Sequence, residues 1–214
     1  MNKANKRILW IIAGLSFIGV CFTYPFLPEQ IPIHWDVNWE VDDWTNKNYI
    51  FLIALMPIAI LLLLDILPKI DPRRENYQKH GKAYYMLQIA LVILMVMISW
   101  TTVATVLWKD FNIKKLLPAI MGIIFIIMGN YMPKLKSNYF VGIKNPWVLA
   151  DDLVWRKTHK AGGYVFAISG IFMVFMSFIQ NTVFNYFTFG VLLLGIFGIN
   201  LYSYLLYRKI NKDK

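Results

Sequence analysis

Asp152 and His159 could exchange a proton, and His34, Asp36 and Glu40 could ligate a metal. Acid–base catalysis needs a nucleophile or a metal beside the pair, and the residues around Asp152 and His159 offer neither. A structural zinc site shows about four ligands in recognisable spacing, which one histidine with carboxylates does not provide. The chain is therefore expected to have no catalytic residue, no metal site and no cofactor. Two polar stretches remain as candidates for function: residues 28–48 and residues 133–161.

The rest of the sequence determines where those stretches sit. Of 214 residues, 58% are hydrophobic and 16% charged, with mean hydropathy +0.50. The apolar residues fall in six blocks: Ile8–Leu27, Tyr49–Leu67, Tyr84–Trp108, Leu116–Met132, Gly162–Gln180 and Tyr186–Tyr207. A helix needs roughly 20 apolar residues to cross a bilayer, and only helices or closed barrels satisfy their backbone there. The expected fold is an all-α integral membrane protein with six transmembrane helices. The basic start, Met1–Arg7, precedes an apolar run too long for a signal peptide, with no small-residue cleavage pattern, and reads as a retained anchor. Cys21, the single cysteine, excludes a disulfide within the chain. The net charge of +10 reflects basic loops facing anionic lipid rather than contact with nucleic acid.

Charge also sets the orientation. With the N-terminus inside, all of the 22 lysines and arginines except Lys47, Lys109, Lys114 and Lys115 fall on the inner side, Lys3 and Lys214 among them. Both termini are then cytoplasmic, residues 28–48 form the long outside loop and residues 133–161 a cytoplasmic loop. The Pro68–Ala83 connector reads as a solvated basic loop. Asp65 is expected to reach the interface or Lys69.

The outside loop alternates. Ile31, Ile33, Trp35, Val37, Trp39 and Val41 take one side, and Pro32, His34, Asp36, Asn38, Glu40 and Asp42 the other, the period of a short extended segment. Asp36 and Asn38 could instead open a turn and make a hairpin. Such a segment either anchors helix ends in the headgroups or presents an acidic surface to a ligand. In the inner loop, Pro146 forces Asn145 out of helical geometry. Asp151 and Asp152 suit a helix start, and a short helix to Lys160 places Asp152, Trp155, Arg156 and His159 on one face. Asp152 and Arg156 can pair there, Trp147 and Trp155 can sit at headgroup depth, and Gly162 and Gly163 allow a bend into the next span. Asn130 is expected to bridge helices.

These residues compose a pattern. Gly129–Asn130, Pro133–Lys134, Asn138–Tyr139, the run Gly142-Ile-Lys-Asn-Pro-Trp-Val-Leu149 and Trp155-Arg-Lys-Thr-His159 resemble the signature of the SdpI family of bacterial membrane proteins. "LPEQIPIHWDVNWEVDDWTNK", Leu27–Lys47, resembles the small N-terminal domain often found with it. The chain departs from the usual pattern at Trp39, where a turn glycine is common, and at Lys144–Asn145, where Arg-Thr is commoner. The resemblance implies an N-terminal two-helix unit, residues 8–67, and an SdpI-like four-helix unit, residues 84–207. It implies immunity to a secreted peptide toxin at the bacterial plasma membrane, with toxin sensing and capture of a cytoplasmic transcriptional repressor in the best-known member. On that reading toxin meets His34, Trp35, Asp36, Trp39, Glu40 and Asp42. Asn130, Asn138, Gly142, Lys144, Pro146, Trp147, Trp155, Arg156 and His159 then form the coupling and cytoplasmic motif. Membrane lipids are the remaining expected partner. The alternative reading is a small transporter or flippase for an amphipathic peptide or lipid.

Overall fold

The computed structural model describes residues 3–212. Met1, Asn2, Asp213, Lys214 and the side chains of residues 3–5 lie outside the described residues, and with them two of the inner cations counted above, Lys3 and Lys214. Among the described residues six helices are long and apolar enough to cross a membrane, so the chain is a multi-pass membrane protein. They are α1 (Lys3–Thr23), α2 (Ile50–Ile70), α4 (Gly81–Leu107), α5 (Ile113–Tyr131), α7 (Asp152–Ile179) and α8 (Thr182–Ile210). Two one-turn helices, α3 (Glu75–Lys79) and α6 (Pro146–Ala150), lie in the loops, and strands β1 (Gln30–Trp35) and β2 (Val41–Asn46) form an antiparallel hairpin between α1 and α2. Phe22, Phe178 and Leu194 are each more than 70% exposed, an arrangement suited to lipid rather than water. Polar residues end the spans: Asn112 and Asn181 cap α5 and α8 by accepting from Lys115 N and Phe184 N.

Two prolines inside α2 show how the bundle satisfies its backbone. Pro57 and Pro68 lack the N–H that the carbonyls of Ile53 and Leu64, four residues earlier, would accept in a regular helix. Helix α4 supplies both replacements. Ser99 Oγ donates to Ile53 O at 3.0 Å, and Tyr84 Oη to Leu64 O at 2.6 Å. Asp65, one residue on, accepts from Lys6 Nζ at 2.5 Å, Trp10 Nε1 at 3.3 Å and Gln88 Nε2 at 3.3 Å. Its cation is therefore Lys6 of α1, where the interface or Lys69 was expected. A lysine from a different helix was not visible from chain spacing.

The closest packing joins α5 and α7. A Cβ on Gly122 would stand 2.5 Å from Gly170 O, and one on Gly129 2.6 Å from Gly163 O; the reciprocal distances are the same. The two contacts are one heptad apart on antiparallel helices, so backbone meets backbone along two turns. This overturns the expected bend at Gly162–Gly163. Helix α7 runs unbroken from Asp152 through both glycines, and the missing side chains serve contact rather than flexure.

The hairpin also departs from strict alternation. Ile31 is fully buried, but Ile33 is 42% exposed, because register shifts at Pro32–His34 and His34–Trp35 reset the pleat. Ile31 packs with Val20, Ile50, Ala54 and Val103 at one end of α1, α2 and α4.

Gly163→Ala, which drives a methyl against Gly129 O, is expected to destabilise the protein by about 1–3 kcal/mol. Gly198→Ala, with nothing within 4 Å of its added methyl, should not. Thermal unfolding in detergent distinguishes the two, and equal midpoints would refute the close contact.

Candidate functional site

The loops at the end of the bundle that carries Lys6 and Ile210 fold onto one another. Asp71, 2% exposed, accepts from Arg73 N at 2.7 Å, Tyr77 Oη at 2.9 Å and Tyr139 N at 2.9 Å. Burial and the bond to Asp71 push the Tyr77 hydroxyl well above its usual pKa, so it remains a donor. Arg73 donates to Ser137 Oγ and Leu149 O and lies over the Tyr139 ring. Asn138 is fully buried. Its Oδ1 accepts from Phe140 N and Val141 N, and its Nδ2 donates to Lys136 O and Val141 O. Thus residues 136–141 wrap around one amide, and the connector expected to be a solvated basic loop supplies a buried carboxylate to hold it.

His159 holds the next turn. Ile143 N donates to His159 Nε2 at 3.1 Å, which leaves the ring proton on Nδ1, 2.9 Å from Trp155 O. Both nitrogens are occupied, and the ring stacks on Trp155 at 3.9 Å. Gly142 passes over it at φ 113°, where a Cβ would be 2.3 Å from Nε2. Trp155 is 1% exposed and donates to Leu135 O, so it belongs to the interior and not to the headgroup layer. Trp147 is half-buried and donates to Ser203 Oγ of α8. Asn145, extended ahead of Pro146, caps α6 through Val148 N and reaches Ser203 and Asn200. Lys144 is exposed and donates to Phe140 O.

The structure thus gathers Asn138, Gly142, Lys144, Pro146, Trp147, Trp155 and His159 into one compact loop. Two expectations fail. Asn130 is exposed and bridges no helices among the described residues. Asp152 and Arg156 are both exposed on the rim of a cavity of about 210 Å³ and form no ion pair among the described residues. Asp71, Arg73 and Tyr77 were missed. The Asp-Pro-Arg-Arg turn starting at Asp71 was the available signal, since an aspartate before proline commonly opens a turn.

At the opposite end, the hairpin turn is organised by Asp36, whose Oδ1 accepts from Asn38 N at 2.8 Å and Glu40 N at 2.9 Å. Trp39 takes φ 62° and is only 7% exposed. It inserts among Leu117, Met173 and Met176, with the Phe189 ring 6.3 Å away. Asp36 and Trp39 therefore frame the turn rather than face outward. His34 pairs across the strands with Asp42 at 2.6 Å, and Glu40 reaches Lys114 of α5 at 2.7 Å. A cavity of about 130 Å³ beside the turn is lined by Asn38, Trp39, Glu40, Lys114, Gln180 and Asn185, among others. The buried Trp39 Nε1 and Asn185 Oδ1 have no hydrogen-bond partner among the described residues.

Comparison with known proteins matches the SdpI/YfhL protein family over residues 134–203 and a domain of unknown function, DUF1648, over residues 11–61. The chain is 27% identical to Immunity protein SdpI of Bacillus subtilis (strain 168), across 95% of this chain and 96% of that protein. It is 31% identical to Uncharacterized membrane protein YbgB of the same organism, across 42% of this chain and 90% of that protein. No solved structure gives a significant match.

Asp71→Ala strands two backbone N–H groups, of Arg73 and Tyr139, and leaves the Tyr77 hydroxyl only Asn138 Oδ1 at 3.3 Å, each stranded donor costing about 1–3 kcal/mol where it stays buried. Trypsin should then cut the detergent-solubilised variant at Lys134, Lys136 or Lys144 under conditions that leave the wild type intact. Equal resistance would show that Asp71 does not hold the loop.

Proposed function

The chain belongs to the SdpI/YfhL family, and from that premise we propose that it is a plasma-membrane immunity protein protecting a bacterium from a secreted peptide toxin. The observation that carries this reading is the likeness to Immunity protein SdpI along nearly the whole of both chains. The charge distribution supports both termini in the cytoplasm, with the hairpin outside. Toxin then meets the hairpin, through exposed His34, Glu40 and Asp42 and half-buried Trp35. Asp36 and Trp39 hold that surface in shape. The cavity beside Trp39 suits a peptide group, which offers an acceptor for Trp39 Nε1 and a donor for Asn185 Oδ1. On the other face, exposed Lys144 and Arg156 are the charges a cytoplasmic repressor would meet if toxin binding is signalled.

Two experiments test this reading. In a Cys21→Ser background, a membrane-impermeant maleimide should label Asp42→Cys in intact cells and Lys144→Cys only after permeabilisation. Labelling of both from one side would overturn the topology. For function, cells expressing the chain should survive the toxic peptides secreted by its source strain, and wild-type expression without protection would remove the immunity reading. Trp39→Phe keeps an aromatic anchor in the slot but deletes the Nε1 donor with the pyrrole edge, and the lost hydrogen bond alone is worth roughly a two- to tenfold loss of protection. Undiminished protection at equal protein level would remove the cavity from the toxin site.

A further inference from the structure

A third cavity lies on the face that carries the termini, and its chemistry is independent of any toxin. It measures about 260 Å³ and is lined by Lys79, His80, Lys82, Ala83, Tyr131 and Lys134. His80 and Gly81 begin α4, and Tyr131 ends α5. The cavity therefore sits where two spanning helices leave the bilayer, with Ala83 and Tyr131 on its wall beside the three lysines.

No carboxylate lines the cavity, and among the described residues none of the three lysines forms an ion pair. Lys79 donates to Asn76 Oδ1 at 3.2 Å, and Lys134 rests over the Tyr131 ring at 4.4 Å. Three lysines thus line one cavity with no carboxylate beside them to balance their charge.

His80 supplies the second observation. It is 4% exposed, and its Nδ1 accepts from Lys136 N at 3.1 Å. Burial, reinforced by the nearby Lys136 charge and opposed by Asp71, lowers its pKa to about 4, so the ring is neutral at physiological pH. With Nδ1 accepting, the proton is on Nε2, and Nε2 is buried with no partner among the described residues. His80 is part of the lining, so a small shift of its ring would offer this unsatisfied N–H to an acceptor in the cavity, and beside three lysines that acceptor is best an anion.

We propose that this cavity binds the phosphate of an anionic phospholipid from the leaflet on the termini face. A phosphodiester carries acceptor oxygens and no donor, which matches a wall of three ammonium groups and one imidazole N–H. Its acyl chains would continue along α4 and α5 into the bilayer. Basic pockets between spanning helices are the usual seat of such headgroups.

The test uses the full-length protein reconstituted in mixed phosphatidylglycerol–phosphatidylcholine vesicles, extracted in mild detergent and examined by native mass spectrometry. The wild type should retain phosphatidylglycerol in preference to phosphatidylcholine. Lys82→Gln/Lys134→Gln, both exposed and safe for folding, should reduce that retention at least fivefold, and His80→Leu should reduce it where the variant elutes as a folded species. Lys157→Gln/Lys209→Gln removes the same charge elsewhere and should retain the lipid. Equal retention in the Lys82/Lys134 variant overturns the proposal. Loss of the lipid on adding excess inorganic phosphate, but not the same ionic strength of chloride, assigns the site to free phosphate and overturns the lipid source.

Discussion

The contact of α5 and α7 backbones at Gly122–Gly170 and Gly129–Gly163 sets the position of nearly everything else. In lipid, helices gain little by hiding apolar side chains from one another, so close approach and dispersion carry association. Two glycine pairs one heptad apart fix both the separation and the register of the helices. Gly129 lies three residues before Met132, close to where the loop of residues 133–161 begins, and Gly163 lies one turn beyond His159, where that loop is fastened. The loop is therefore anchored at both sides by one contact. Gly162, facing Ile143 and Met132, extends the same close fit to the loop itself.

That fit changes what the motif residues mean. Asn138, Gly142, Asn145, Trp155 and His159 are occupied with backbone groups of their own loop and its neighbours. They build a surface and do not reach out from it. The exposed charged groups between them are Lys144, Asp152, Arg156 and Lys157. At the other end, the same pair of helices provides the seat of Trp39 through Leu117, Met173 and Met176. Backbone contacts leave no cushion of side chains for α5 and α7 to slide on. Any change at one face would have to reach the other by movement of the pair as a body against α4 and α8.

The six spans were legible in the sequence, because spanning helices need length and apolarity. The cap at Asp151 and the extended Asn145 followed from local rules. What escaped depended on contacts between distant segments. Asp71 lies in a basic connector and looks solvated until Tyr139, 68 residues later, donates to it. Lys6 and Asp65 are 59 residues apart. The alternation of residues 31–42 was real as a pattern but was broken by bulges that periodicity cannot reveal. Gly162–Gly163 could equally permit a bend or a contact, and the choice rests on Gly129 in another helix.

Trp39 shows how such a distant contact can reverse a local preference. Its φ of 62° belongs to the left-handed region, where a side chain costs about 1–2 kcal/mol and glycine costs nothing. A tryptophan buries roughly 150–250 Å², which at ~25 cal/mol/Å² is worth about 4–6 kcal/mol if the alternative is water. Burial outweighs the backbone cost by several kcal/mol, provided the ring has somewhere to go. The apolar slot at the end of α5, α7 and α8 supplies that place, and the turn is thereby pinned to the bundle through one side chain. A glycine in the same turn would fit the backbone without strain but would leave the hairpin unattached at its tip. The departure at Trp39 therefore exchanges an easy turn for an anchored one.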